Sequence, residues 1–230
     1  MVATTIFVFL SALVGKALSS TPVCGVRGSA ASGSVQGGTA QIVGGTAATP
    51  LEFPWQISLH LIQLPNTDLG HICGGSIINK QYIDTAAHCI IDGYKSPSNY
   101  MVVIGEQNLD KVDPYEKKIA VVNSQGGTIS QSLQKVDLPI VPYATCKSNY
   151  RNVNPVVEAT MICAGPKAGG KGACQGDSGG PLQCARSDGR YVLAGSTSWG
   201  TTCAAANQPT VFARMSTQVN WINSVAGPTP

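Results

Sequence analysis

The sequence predicts an all-β protein that ends in one helix. Short apolar runs recur along the 230-residue chain and are broken by Gly, Pro and Asn, a pattern typical of the short strands of a β-barrel or a β-sandwich. Near the C-terminus, Val219, Ile222 and Val225 follow the spacing of one helical face, which predicts a helix over residues 216–225. The length suits one large β domain or two small ones.

Seven apolar runs carry the prediction of strands. They cover residues 56–61, 72–78, 101–104, 118–122, 134–141, 191–198 and 211–214. Turn-forming residues separate these runs, so each predicted strand is short.

The composition excludes several classes of protein. Charged residues make up only 12% of the chain, so it is neither a charge-rich disordered protein nor a coiled coil. A formal charge of +3 is too small to indicate nucleic acid binding. There is no run of 18 apolar residues, so no membrane-spanning helix is predicted.

The N-terminal part predicts export and a flexible leader. Residues 2–14 are almost wholly apolar and the small residues Ala17 and Ser19 follow, which predicts a signal peptide over residues 1–19 and a secreted, extracellular protein. A buried N-terminal strand or helix is the alternative. The eight cysteines agree with an oxidising compartment. Residues 20–41 are rich in Gly, Ser, Ala and Thr and have too little apolar surface to pack.

Residues 176–181 read Gly-Asp-Ser-Gly-Gly-Pro and predict that Ser178 is a nucleophile. A serine attacks an acyl carbon only if a base takes its proton and hydrogen-bond donors stabilise the resulting oxyanion. The glycines let the backbone turn so that the amides of Gly176 and Ser178 point at one oxygen. A glycine-rich turn without chemistry is the alternative.

Residues 85–89 read Thr-Ala-Ala-His-Cys and offer His88 as the base. A lone histidine is more often structural, but this segment, the one around Ser178 and the Ile-Val-Gly-Gly sequence that begins at Ile42 together resemble the chymotrypsin/trypsin family of serine proteases. The resemblance implies a trypsin-like fold of two six-stranded antiparallel β-barrels with a C-terminal helix. It also implies that His88 is the general base, Ser178 the nucleophile, and the amides of Gly176 and Ser178 the oxyanion hole.

The resemblance further implies a zymogen. Cleavage before Ile42 would free an ammonium group that pairs with Asp177, so residues 20–41 would be an activation peptide and residues 42–230 the protease domain. An activating protease is then a partner. Trypsin-like activators cut after Lys or Arg, and Gln41 departs from that pattern.

A second histidine is relevant to the zymogen state. His71 matches a family position that often holds the zymogen's aspartate before activation. A structural histidine is the alternative for His71.

The substrate preference also follows from the resemblance. Gly172 corresponds to the floor of the specificity pocket, Ser198, Trp199 and Gly200 to the strand that pairs with substrate backbone, and Thr210 to a pocket wall. None of these residues is a carboxylate that would bind Lys or Arg. The expected substrates are therefore proteins or peptides, cut after medium or large apolar residues.

The family chemistry requires no cofactor and no metal. Glu106 and Glu116 bracket a loop that binds calcium in some relatives. A solvated loop is the alternative, so calcium is only a possible ligand of this chain.

Compared with the family, the chain lacks a segment between His88 and Ser178. His88 and Ser178 are 90 residues apart in sequence, against roughly 140 in the family template. About 50 residues would therefore be absent near residues 122–128, including the strand with the catalytic aspartate. One or both barrels are then incomplete, and the chain as written is expected to be inactive or severely impaired. Other aspartates could replace the missing one, although each is also explained as a surface or turn residue: Asp84, Asp92, Asp110, Asp113 and Asp137.

The cysteines agree with this gap. The family pattern implies three disulfides, which are Cys73–Cys89, Cys146–Cys163 and Cys174–Cys203. Cys24 and Cys184 are left over, and their usual partners fall in the missing segment. The sequence therefore predicts a secreted serine endopeptidase zymogen. The alternatives are a non-catalytic homologue that binds peptides, and a misfolded product of a splice or gene-model variant.

Overall fold

The computed structural model describes residues 25–28, 42–94, 96–120 and 133–228. The predicted signal peptide over residues 1–19, Cys24, Gln41 and the predicted gap near residues 122–128 lie outside the described residues.

The first half of the chain forms an antiparallel sheet. Its strands, with a short strand β1 before them, are β1 (Thr46–Ala47), β2 (Gln56–Gln63), β3 (Thr67–Ile77), β4 (Ile83–Asp84), β5 (Tyr100–Ile104) and β6 (Lys117–Ala120). The order across the sheet is β4-β3-β2-β5-β6. Every neighbouring pair is antiparallel, which fits a chain of hairpins and short returns.

The second half forms another antiparallel sheet. Its strands, again with a short strand before them, are β7 (Gln134–Lys135), β8 (Ile140–Val141), β9 (Met161–Ala164), β10 (Pro181–Ala185), β11 (Tyr191–Trp199) and β12 (Thr210–Arg214). The order is β10-β11-β12-β9-β8. Strands β1 and β7 pair with each other, so the start of the first half is joined to the second half.

Two short helices accompany the sheets. Helix α2 (Val219–Ala226) confirms the predicted C-terminal helix and follows a 3₁₀ turn over Met215–Thr217. Helix α1 (Tyr143–Asn149) was not predicted, because seven residues are too few for a clear apolar period. Neither helix has the length that a bilayer crossing needs, and no other helix in the described ranges does.

Each sheet encloses its own core. In the first sheet, Ile57 and Leu59 of β2 and Val102 of β5 are almost completely buried. In the second half, Val211 of β12 and Tyr150 are almost completely buried and belong to one core cluster. The curled antiparallel sheets and the C-terminal helix confirm the predicted trypsin-like double-barrel fold, with five strands in each sheet within the described residues.

Some strand boundaries differ from the predictions. The run over residues 134–141 is split into β7 and β8, since Pro139 lies between them and has no N–H for a ladder. Strands β9 and β10 were not predicted, because β9 has four residues and β10 follows the glycine-rich segment directly.

The three predicted disulfides are confirmed. They are Cys73–Cys89, Cys146–Cys163 and Cys174–Cys203. Within the described ranges one cysteine is free, and it is Cys184.

Candidate active site

The segment around Ser178 is a tight turn that precedes β10. Gly176 and Gly179 have φ values of 92° and 77°, in the left-handed region that favours glycine. The amide of Gly180 donates to the carbonyl of Asp177 at 2.9 Å, and the amide of Gly179 donates to the carbonyl of Thr197 in β11, also at 2.9 Å. The turn is therefore fixed to the second sheet.

His88 is held by the first sheet. It lies in a 3₁₀ turn over Ala87–Cys89, directly after β4 and two small residues. Cys89 is completely buried and is bonded to Cys73 of β3, which fixes the turn while the His88 ring stays exposed. The disulfide therefore positions the predicted base.

The two segments meet at the junction between the sheets. The amide of Gly74 in β3 donates to the carbonyl of Ser178 at 2.8 Å. A β-carbon added at Gly179 would overlap the side chain of Thr85 and the amide of Ala86, so only glycine allows the turn to pack this closely on the segment that leads to His88. Ser178 and His88 are thus on contacting segments, although no hydrogen bond joins their side chains.

His88 has no carboxylate partner within the described part of the chain. Desolvation lowers the pKa of its ring, because a less polar surrounding penalises the imidazolium, and no acidic group among the described residues acts against this shift. Among the candidate aspartates, Asp84 is completely buried and Asp113 accepts the amides of Gln107 and Asn108 at 2.7 and 2.8 Å. Asp110 and Asp137 are exposed.

Asp177 is inside the protein and has no cation beside it among the described residues. Burial raises its pKa to about 6, and the hydrogen bond from the Cys174 amide at 2.7 Å lowers it only in part. Ile42 and Asp177 line the same cavity of about 550 Å³. Val43 is bridged to Gly172 by two backbone hydrogen bonds of 3.0 and 3.2 Å, so the chain after the predicted cleavage point already lies in this region.

Gly172 and Thr210, two predicted pocket residues, are neighbours. A β-carbon on Gly172 would be 3.4 Å from Thr210 Oγ1 and from the backbone of Ala204, which is ordinary van der Waals contact. A β-carbon on Gly200 would touch nothing within 4 Å, so this position is open.

The remaining pocket residues are on or next to β11. Trp199 packs against Tyr150 with ring centroids 4.9 Å apart. Ser198 lies at a register shift between Thr197 and Trp199. This shift takes Ser198 out of the regular ladder between β11 and β12.

A polar cluster in the first sheet includes His60, which the sequence analysis missed. His60 of β2 is paired with His71 of β3, and its ring contacts Glu106 Oε2 at 3.1 Å and Asp68 Oδ1 at 3.0 Å. His71 Nδ1 contacts the hydroxyl of Ser58. His71 makes no described contact with Asp177, whose carboxylate instead accepts the Cys174 amide.

The pKa values of the two histidines in this cluster are shifted in opposite directions. Burial lowers the pKa of His60, but the hydrogen bonds and charges of Glu106 and Asp68 outweigh it and raise the pKa overall. Burial lowers the pKa of His71 to about 4, so its ring is neutral at pH 7. The pKa of Glu106 is lowered, since hydrogen bonds from His60 and Ser58 outweigh the opposing effect of burial. The cross-strand pairing that creates the cluster is not visible in a linear sequence.

The Trypsin family model matches residues 42–125 and 122–222. The two matched segments meet at residues 122–125 and together cover most of the chain, including His88 and Ser178. With the fold and these contacting segments, the match shows that the chain belongs to the trypsin family of serine proteases.

Proposed function

We propose that this chain is the precursor of a secreted endopeptidase in which Ser178 is the nucleophile and His88 the general base. The observation that carries the proposal is the close contact of Gly179 with Thr85 and Ala86, which brings the nucleophile turn against the segment that holds His88. A binding protein has no physical need for both a serine on this turn and a histidine on the segment that the turn contacts.

The reaction would be acyl transfer to serine followed by hydrolysis. Ser178 Oγ attacks the peptide carbonyl while His88 takes the hydroxyl proton, and the amides of Gly176 and Ser178 stabilise the oxyanion. When the C–N bond breaks, His88 returns the proton to the leaving amine. A water molecule, deprotonated by His88, then attacks the acyl group and releases the carboxylic acid together with free Ser178.

We propose that substrates are cut after apolar residues. Gly172, Thr210 and Gly200 would form a pocket without a carboxylate, and the contacts at Gly172 support a site of moderate depth. Ser198 and Trp199 would hold the substrate backbone. An aliphatic or aromatic side chain would gain free energy by leaving water there.

We further propose that the chain is a zymogen. A new amino terminus at Ile42 would supply the cation that Asp177 lacks, and the cavity shared by these residues supports this pairing. Export through a signal peptide over residues 1–19 is part of the same proposal, and three disulfides agree with it. The activating protease would have to accept Gln41.

Catalysis by this chain would be weak. In well-studied triads, losing the carboxylate that orients the histidine lowers kcat by about 10⁴. The place where the two matched segments meet, at residues 122–125, supports a missing segment there. The chain would then be a shortened form of a functional protease.

Fluorophosphonate labelling of the secreted chain tests the proposal. Ser178 should gain the phosphonyl group as fluoride leaves, and the label should be found by mass spectrometry on the peptide that contains Ser178. Ser178→Ala should remove labelling, while Ser216→Ala, a change at an exposed serine, should leave it unchanged. Labelling that Ser178→Ala does not remove would contradict the assignment.

A non-catalytic homologue is the second candidate. It is favoured by the absence of a described carboxylate next to His88. In this case the folded protein would bind peptides without being labelled. The intact mass of the natural secreted protein separates the cases, since a mass about 50 residues heavier, with labelling, would mean that the working enzyme carries the missing segment.

A further inference from the structure

Three residues in the first sheet converge on one point. His60 of β2 lies opposite His71 of β3 in the antiparallel pair, with ring centroids 6.2 Å apart and the rings nearly perpendicular. Glu106 follows β5, the strand on the other side of β2. One ligand atom from each of the three lies within 4.8 Å of the others.

One of the three ligand–ligand distances is close to that of a tetrahedral zinc site. Zinc lies about 2.0–2.1 Å from nitrogen and carboxylate oxygen ligands, so two ligands of one ion are roughly 3.3 Å apart. His60 Nε2 and Glu106 Oε2 are 3.1 Å apart. Small side-chain movements would therefore place an ion between them and the ring of His71.

The surroundings also resemble the outer shell of a zinc ligand. Histidines that bind zinc through one nitrogen usually donate the other N–H to a carboxylate. His60 Nδ1 is 3.0 Å from Asp68 Oδ1, and Asp68 is in turn held by Lys118 Nζ at 2.9 Å and by the Gly70 amide at 2.9 Å. The side chains of His60 and Glu106 are only 6% and 7% exposed, so these two ligands are shielded from bulk solvent.

We propose that His60, His71 and Glu106 form a zinc site, with Asp68 orienting His60 and a fourth position open to water or to the hydroxyl of Ser58. Two imidazoles and one carboxylate suit zinc, whereas calcium takes six to eight oxygen ligands. Ser58, His71 and Glu106 line the cavity of about 550 Å³, which gives the ion a path from solvent. The proposal rests on the fold and not on peptidase activity.

Zinc titration of the folded full chain tests the proposal. After treatment with a chelator and dialysis, isothermal titration with zinc chloride should show one saturable ion per chain. Cobalt(II) in its place should give the visible absorption of a tetrahedral complex with nitrogen and oxygen ligands. Calcium chloride should not compete. Absence of saturable zinc binding, or competition by equimolar calcium, would overturn the proposal.

Matched variants locate the site. Glu106→Gln preserves shape and hydrogen bonding to His60, and it should lower zinc affinity at least 100-fold. Asp68→Asn should lower it about 10- to 100-fold, as expected of an outer-shell partner. His88→Ala and Cys184→Ser remove the other described histidine and the free thiol, and both should bind zinc as the parent does.

The test separates loss of the zinc site from loss of folding, and its result is independent of the proposed function. Far-ultraviolet circular dichroism of each variant confirms that it is folded before titration, and His71→Ala provides a second change if one variant fails. Unchanged affinity in both Glu106→Gln and His71→Ala would show that zinc binds elsewhere, and the site would be wrong. Failure of fluorophosphonate labelling would leave the zinc titration unaffected.

Discussion

Asp84 lies directly opposite Ser76 across the β3–β4 pair, and both side chains are buried without a hydrogen-bond partner among the described residues. Asp84 is completely buried. The hydroxyl of Ser196, which is close enough to lower the pKa of Asp84, donates instead to the carbonyl of Gly179 at 3.1 Å. Burial therefore dominates and raises the pKa of Asp84 to about 7.

Asp84→Val should stabilise the protein at neutral pH. The folded pKa of about 7 exceeds the ordinary value of 3.8, so the ionisation of Asp84 carries no penalty below pH 3.8 and destabilises the fold increasingly as the pH rises towards 7. The variant should raise the free energy of unfolding by roughly 2–4 kcal/mol at pH 7.5, and by less at pH 4.5. Urea denaturation at both pH values measures this. Asp110→Val, at an exposed aspartate, is the control, and an equal gain in both variants would contradict the explanation.

Glu52→Gln should destabilise the protein more than Arg27→Ala. Glu52 is 3% exposed and its carboxylate contacts Lys135 Nζ at 2.6 and 2.8 Å, the Thr49 amide at 2.7 Å and the guanidinium of Arg27. Removing the buried charge leaves Lys135 unpaired and should cost about 3 kcal/mol, whereas Arg27 is half-exposed and should contribute less than about 1 kcal/mol. Chemical denaturation of the two variants measures the difference. Equal losses of unfolding free energy would mean that the ion pair with Arg27 accounts for the stabilisation by Glu52.

Labelling of Ser178 should remain effective below pH 6.5. Desolvation lowers the pKa of His88, so the ring stays neutral and able to accept a proton at pH values where an ordinary histidine is half protonated. The rate of fluorophosphonate labelling against pH should have its inflection below 6.5. An inflection above that value would mean that a carboxylate pairs with His88.

Gly172→Asp should create affinity for an aryl amidine. The position accepts a β-carbon at ordinary contact distances, and the new carboxylate would lie beside Thr210 in the predicted pocket. Benzamidine is the probe, measured by calorimetry, so the test needs no turnover. Gly172→Asn is the neutral control of the same shape and should not bind. Binding by both variants, or by neither, would count against the pocket.

Thiol titration should find two free cysteines per chain. Cys184 is free in the described structure, and Cys24 has no remaining family partner. The measurement uses denatured, unreduced protein. A count of zero is the contrary outcome and would mean a bridge between these two residues.

Much of the fold could be predicted from the sequence, because alternation and turn residues act locally. The strands at β2, β5, β11 and β12 and the helix α2 were found within a few residues. Strand β9 and helix α1 were missed because they are short and depend on packing. Cys146 and Tyr150, one turn apart, hold α1 through a disulfide and a buried ring.

The sequence by itself determined the family motifs, because these are properties of residue identity and spacing. The resemblance that these motifs carry then implied the three disulfides and a shortage of residues between His88 and Ser178. The tertiary structure alone decided which groups meet. It placed Gly179 against Thr85, paired His60 with His71, and buried Asp84 without a hydrogen-bond partner among the described residues. These relationships depend on strand register and on the contact between two sheets, and both are set by interactions between residues that are distant in sequence.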